Sequence, residues 1–329
     1  MIHHRLFSKQ LPKALLFVSV VMCMMGCDRQ PQTLTDVPQR AIYHWKTTFN
    51  PTDYEWRFMQ EHNVKRLYLR LFDVDRSDGF WGDFVPVATT RFFQQVPDSI
   101  EVVPVVYITK DAIEEMGGDD ESVANYVPKI YRYVNDMIAE QGWKVREVQL
   151  DCDWAESEKD CFVRFCKPLQ KLFSEQGVVL GMTVRFYQLG STIDLPVDRK
   201  TLMAYNAGSL QSLETRNSIL DFSEVVPFLE RATAEEFESM SVAYPVFGWG
   251  VAFNDYGYFM KLVNSQDLES CQVPYLRVEW GEVAEISKVQ EYLALKMPAR
   301  ENRTTILYHL DSLNLSKYSF DEIEAIYNR

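Results

Sequence analysis

Apolar and polar positions along this chain follow two rhythms that alternate. Nine runs rich in β-branched and aromatic residues read as strands: AIYHWKTT (41–48), VKRLYLRLFDV (64–74), EVVPVVYI (101–108), REVQLDCDW (146–154), VVLGMTVRFYQL (178–189), TLMAYN (201–206), VAYPVFGWG (242–250), PYLRVEW (274–280) and TTILYHLD (304–311). Between several of them the period lengthens to that of a helix. Residues 52–63 open on Asn50-Pro51-Thr52-Asp53 and carry Tyr54, Phe58 and Met59 on one stripe. Residues 122–141 place Val123, Tyr126, Ile130, Tyr133, Val134, Met137 and Ile138 on one side, as core, and 159–176 form a further helix. Strands separated by helices predict a parallel sheet, and about eight such units in one stretch predict an α/β fold of the (β/α)8 TIM-barrel type. A doubly wound open sheet is the competitor, but no GxGxxG or GxxxxGK[ST] follows the first strand. PYLRVEW is either the eighth barrel strand or part of an insertion, and TTILYHLD is preferred as the last strand.

The N-terminus follows neither rhythm. Arg5, Lys9 and Lys13 precede an apolar run from Ala14 to Met25, about half the roughly 20 residues a membrane-crossing helix needs. This is the pattern of a cleavable signal peptide over residues 1–26. Its ending, Met24-Met25-Gly26-Cys27, resembles the bacterial lipobox, which implies that Cys27 becomes the lipidated first residue of a chain anchored in the cell envelope. Residues 27–38, polar and with two prolines, read as a flexible tether. The remaining 39–329 form one barrel domain.

Charge narrows the partners. The 34 basic and 47 acidic residues become 31 and 47 once Arg5, Lys9 and Lys13 leave with the signal peptide, a formal −16. Such a domain repels phosphate backbones and anionic headgroups, so nucleic acid is not expected as a partner, and the membrane is expected only through the lipid anchor. Beyond Cys27, the thiols Cys152, Cys161, Cys166 and Cys271 form no CxxC pair, and no histidine stands at metal-ligand spacing, so neither metal nor cofactor is expected. Cys161 and Cys166 lie five apart on a helix, about 140° around its axis, and should not pair. Only His44, His62 and His309 remain after signal removal, and no GxSxG elbow accompanies them, so a hydrolase triad lacks its parts. His44 and His309 fall on the first and last strands, neighbours in a closed barrel, where packing or a shared polar cluster would account for them.

Candidate chemistry concentrates in Val148-Gln149-Leu150-Asp151-Cys152-Asp153-Trp154-Ala155-Glu156, an apolar strand that turns acidic at its C-terminal end, the catalytic end of a barrel. Strand geometry puts Asp151 and Asp153 on one side and Leu150, Cys152 and Trp154 on the other. Adjacent carboxylates do not both ionise cheaply, so one should hold its proton more tightly, as acid catalysis requires. Alternatively the two aspartates only hydrogen-bond neighbouring strands or cap the next helix.

LDCDWAE resembles the strand-four motif DxxDxDxE of chitinase-like family 18 glycoside hydrolases, in which the glutamate is the proton donor. The aspartates match Asp151 and Asp153, whereas the donor position falls on Ala155 and Glu156 comes one residue late. Met203-Ala204-Tyr205 resembles that family's sixth strand, which implies a substrate-supporting role for Tyr205; Asn206 stands where the family commonly has Asp. The segment 244–250 is similar to the family's strand seven. Taken whole, the chain resembles bacterial secreted lipoproteins of this architecture. The resemblance implies a glycan as partner, with Asp151, Asp153, Glu156 and Tyr205 as catalytic candidates. Glu279 joins them if PYLRVEW is strand eight, because it would then face Asp153 across the lumen, the two-carboxylate arrangement of glycosidases; otherwise it is a surface residue beside a packed Trp280. Strand-end rings and polar groups suit stacking on sugar C–H faces and bonding to hydroxyls, and nominate Trp45, Asp73, Tyr107, Arg185, Tyr187, Trp249 and Trp280 as ligand contacts, with Arg70 beside them. Trp81 belongs to the same aromatic supply. Two functions remain open: a glycoside-hydrolase-like barrel acting on glycan, and a non-catalytic glycan-binding lipoprotein.

Overall fold

The structure, a computed structural model, describes residues 39–76, 86–238, 240–297 and 303–328. The expected signal peptide, Cys27, the tether and Trp81 lie outside the described residues.

Eight parallel strands close on themselves: β1 (Gln39–His44), β2 (Arg66–Val74), β3 (Glu101–Ile108), β4 (Glu147–Cys152), β5 (Val179–Val184), β6 (Arg199–Met203), β7 (Met240–Pro245) and β8 (Thr304–Tyr308). Each pairs with its successor, and β1 closes the ring by pairing with both β2 and β8. The (β/α)8 expectation is met, and TTILYHLD supplies the last strand. The helix expected over 52–63 is Asp53–Glu61, started by Thr52, whose hydroxyl and Glu55 form a reciprocal capping box. The helix Asp120–Gln141 buries Tyr126, Val127, Ile130, Val134 and Met137, and Lys159–Glu175 buries Phe162, Phe165, Cys166, Leu169 and Phe173. Cys152, Cys161, Cys166 and Cys271 are all free thiols. No helix among the described residues is long and apolar enough to cross a membrane.

Two expected strands break where the backbone has to turn. Residues 178–189 stop being a strand at Val184 and coil into a short turn, Phe186–Gln188. VAYPVFGWG divides: β7 ends at Pro245, and Gly248–Phe253 begins a separate antiparallel sheet with Phe259–Asn264 and Tyr275–Trp280. PYLRVEW is thus the insertion rather than strand eight. Gly248 is required at the crossing, because a Cβ there would lie 2.4 Å from the Trp280 ring.

The barrel axis is polar, and β4 shows why. Its alternation sends Val148, Leu150 and Cys152 outward into the core under the helices, and Glu147, Gln149 and Asp151 inward. Each inward group is satisfied from other strands: Glu147 by Arg199, Gln149 by the Tyr43 hydroxyl at 2.6 Å and by Thr201 at 3.1 Å, and Asp151 by Thr183. Burying such groups without partners would cost several kcal/mol each.

Candidate functional site

The C-terminal ends of the strands surround an open cleft of about 660 Å³. Its floor and walls take Trp45 and Lys46 from beyond β1, Arg70 and Asp73 from β2, Tyr107 from β3, Asp151 from β4 and Asp153 just beyond it, Arg185 from beyond β5, and Tyr205 and Asn206 from beyond β6. Phe247, Trp249 and Asn264–Gln266 close one side from the insertion and its approach, and Tyr308, His309, Asp311, Leu313 and Asn314 close the other.

Asp151 sits at the bottom, buried, accepting the Thr183 hydroxyl at 2.5 Å and Arg185 Nη2 at 3.0 Å. Burial pushes its carboxyl above the usual range, with the neighbouring Asp153 adding to the effect and Arg185 opposing it. Asp153, two residues on, stays half-exposed and pairs with Arg185 Nε, so one guanidinium holds both aspartates. The Arg185 loop is itself fixed: the Tyr187 hydroxyl donates to the Asp153 carbonyl at 3.0 Å and Gln188 donates to the Trp154 carbonyl at 2.9 Å. Tyr107 is pushed up to about 12, first by burial and then by Asp153 and Asp151, so its hydroxyl remains a donor at any ordinary pH. Tyr205 is buried and stacks obliquely on Tyr308, with ring centres 4.9 Å apart. Opposite, Arg70 pairs with Asp73 and lies 5.6 Å above the Trp45 ring, while Lys46 bridges Glu55 and Asp311 at 3.0 Å each. Every carboxylate that lines the cleft is therefore paired with a basic side chain.

Of the sequence candidates, Asp151, Asp153, Tyr205, Trp45, Asp73, Tyr107, Arg185 and Trp249 come together here. Four do not line the cleft. Glu156 is exposed on the turn Glu156–Glu158, because Trp154 inserts fully into the core against Phe162 and the Ala155 amide donates to Glu158, turning the chain away. Neither the Ala155 position nor the residue after it therefore presents a carboxyl to the cleft. Glu279 does not face Asp153 across a lumen: it is buried in the inserted sheet, accepting from Trp249 Nε1 at 2.8 Å, Arg277 Nε at 2.5 Å and the Ser218 hydroxyl. Its place is behind Trp249, whose indole it orients. Trp280 packs on Gly248 with the Lys317 ammonium 5.7 Å from its ring, away from the cleft. Tyr187 stands outside it, half-exposed, supporting Asp153 from behind.

Lys46, His309 and Asp311 escaped the sequence reading as ligand contacts, although the rule that singled out Asp153, a polar residue just past a strand end, applies equally to them; Tyr308, the last residue of β8, escaped with them. Asn264–Gln266 carry no such signal, since only the folding of the insertion brings them over the mouth.

A closed parallel (β/α)8 barrel is also the fold of solved family 18 chitinases. Among solved structures, it is similar to a family 18 chitinase of Flavobacterium johnsoniae (TM-score 0.53, 13% identity, covering 88% of this chain and 93% of that one). It is also similar to the spore cortex-lytic enzyme SleL of Bacillus megaterium (TM-score 0.56, 10% identity, 88% and 74%) and to a chitinase-like agglutinin of Robinia pseudoacacia (TM-score 0.55, 11% identity, 87% and 98%). At these identities the likeness is one of fold. No family profile matches the sequence, and no curated protein matches it either.

Proposed function

We propose that this protein binds a glycan in the mouth of the barrel, without the proton donor of the chitinase-like hydrolases, and that it does so at the bacterial cell envelope, held there by a lipid on Cys27. The observation that carries the binding reading is the cleft itself. Trp45, Tyr107 and Trp249 offer ring faces beside hydroxyl, amide and charged groups, while each lining carboxylate is neutralised by Arg185, Arg70 or Lys46. A strongly acidic chain favours a neutral polymer over a polyanion. The barrel is a fold on which both a chitinase and an agglutinin are built.

Hydrolysis is the second reading, favoured by one observation: Asp153 is half-exposed in the cleft directly above an aspartate whose proton is held tightly. In that reading Asp153 polarises the reacting group, Tyr205 supports the sugar, and the acid is one of the cleft aspartates rather than Glu156.

Calorimetric titration of the purified protein with N-acetylglucosamine oligomers and peptidoglycan fragments, alongside an assay for released sugar, separates the two. Binding without turnover, weakened about tenfold or more by Trp45→Ala and untouched by Glu156→Gln, is the expected result. Turnover abolished by Asp153→Asn would establish the enzyme instead. Incorporation of labelled palmitate that disappears in Cys27→Ala tests the anchor.

A further inference from the structure

Away from the cleft, the inserted sheet ends in a turn that presents aromatic rings to solvent. Tyr256 and Tyr258 are 84% and 70% exposed, and Tyr275, opposite Phe253 on the third strand, is 52% exposed. Single exposed rings are ordinary, but three at one tip form a patch. The tip is also held in shape. Asn254 Oδ1 accepts the amides of both Tyr256 and Tyr258 at 3.0 Å, the Asn254 amide donates to the Tyr258 carbonyl, and Gly257 takes the left-handed conformation the turn needs (φ +77°). Arg277 Nη1 donates to the Ser212 carbonyl at 2.6 Å, tying the sheet to the loop beyond β6. Rings on a fixed turn lose little entropy on binding, the property that makes tyrosine an effective contact residue.

The tip is continuous with the cleft. The strand that carries Trp249 into the mouth, paired there with Asn264, runs directly to Asn254, a span of about 17 Å at strand rise. Rings near both ends of one strand fit an extended occupant better than a compact one.

We propose that Tyr256, Tyr258 and Tyr275 form a second glycan contact, which engages a polysaccharide chain outside the cleft through stacking on sugar faces. It rests on the cleft reading in that the same polymer reaches both places, and its consequence is avidity: linking two weak contacts through one polymer raises affinity without any new contact in the cleft.

The test compares a short probe with a long one. Binding of N-acetylglucosamine trimer and pull-down on colloidal chitin are measured for the wild-type protein, Tyr256→Ala/Tyr258→Ala and Trp45→Ala, with thermal midpoints as a folding control. The double variant should lose about tenfold in affinity for chitin and keep wild-type affinity for the trimer. Unchanged chitin affinity in the double variant overturns the proposal, as does an equal loss for trimer and polymer. So does a dimer in sedimentation that the double variant converts to monomer with chitin binding intact, since the rings then meet a second copy. Chitin binding that needs the tyrosines in a protein that ignores the trimer supports the tip and removes the cleft reading. A wild-type protein that binds neither probe removes both.

Discussion

Two carboxylates on the same strand meet arginines in the same way and end with different roles. Glu147, at the start of β4, is itself buried at the bottom of the barrel, accepts Arg199 Nη1 at 2.7 Å from a half-exposed side chain, and lies 3.6 Å from Arg66. Asp151, at the strand's other end, meets Arg185 in the same manner, but Arg185 reaches on to Asp153, whose side chain is 44% exposed to an open cleft. Burial raises the carboxyl of both Glu147 and Asp151, and the neighbouring arginines oppose it in both. A perturbed, arginine-paired carboxylate is therefore not by itself a functional site. What separates the two ends is that the upper cluster alone lines a cleft, with a carboxylate open to it, at the end of the barrel where the strands hand over to loops.

The sharpest way to break this contrast is to remove the carboxylate that lines no cleft. Glu147→Ala removes a buried carboxylate from beside Arg66, which keeps Glu101 at 3.0 Å, and from the half-exposed Arg199, and should cost about 1–3 kcal/mol in urea unfolding, with glycan affinity per folded molecule unchanged. A loss below about 1 kcal/mol would show that the lower cluster is as dispensable as a surface pair.

Acid should have a smaller, graded effect through a third buried group. Burial holds His44 down to about 3, with Lys46 and His309 adding to it, and holds His309 at about 4 against the opposing pull of Asp311. Both imidazoles fold neutral. Below the unfolded value near 6.5 the unfolded chain takes up protons that the folded chain refuses, so their contribution is complete above 6.5 and declines as the pH falls toward 4. The raised carboxyls of Glu147 and Asp151 run the other way, losing stability as pH rises through their folded values. Thermal midpoints measured from pH 7 to 4 should therefore fall less steeply in His44→Gln/His309→Gln than in the wild type. Parallel slopes would assign acid sensitivity elsewhere.

The smallest stability effect belongs to the open end. Asp153→Asn removes a half-exposed ion pair and should shift unfolding by under about 1 kcal/mol. Its effect should appear in ligand affinity, weakened about tenfold with the loss of a charged acceptor in the cleft. A stability loss as large as that of Glu147→Ala would erase the difference between the two clusters.

Much of this arrangement was legible in the amino-acid order. The strand and helix periods predicted the barrel, and alternation along 147–153 predicted that Asp151 and Asp153 share a face while Trp154 opposes them, as the cleft and the Trp154–Phe162 stack bear out. The eighth strand was the harder choice. PYLRVEW alternates as a strand should, but alternation cannot distinguish a barrel strand from one in a small antiparallel sheet. Glu156 was misplaced as a cleft residue because a shift of one position moves a side chain to the other face, and a buried tryptophan fixed which way the chain turned.

What the chain determines by itself is local: which segments are strands, which face of each is apolar, and which polar residues follow a strand end. These properties depend on neighbours within a few positions. Partnership and exposure were decided only in three dimensions. Arg185 clamps two aspartates from another strand, Glu279 serves Trp249 rather than the lumen, and an insertion brings Asn264–Gln266 over the mouth. Each depends on residues that are distant along the chain and adjacent only once the barrel has closed.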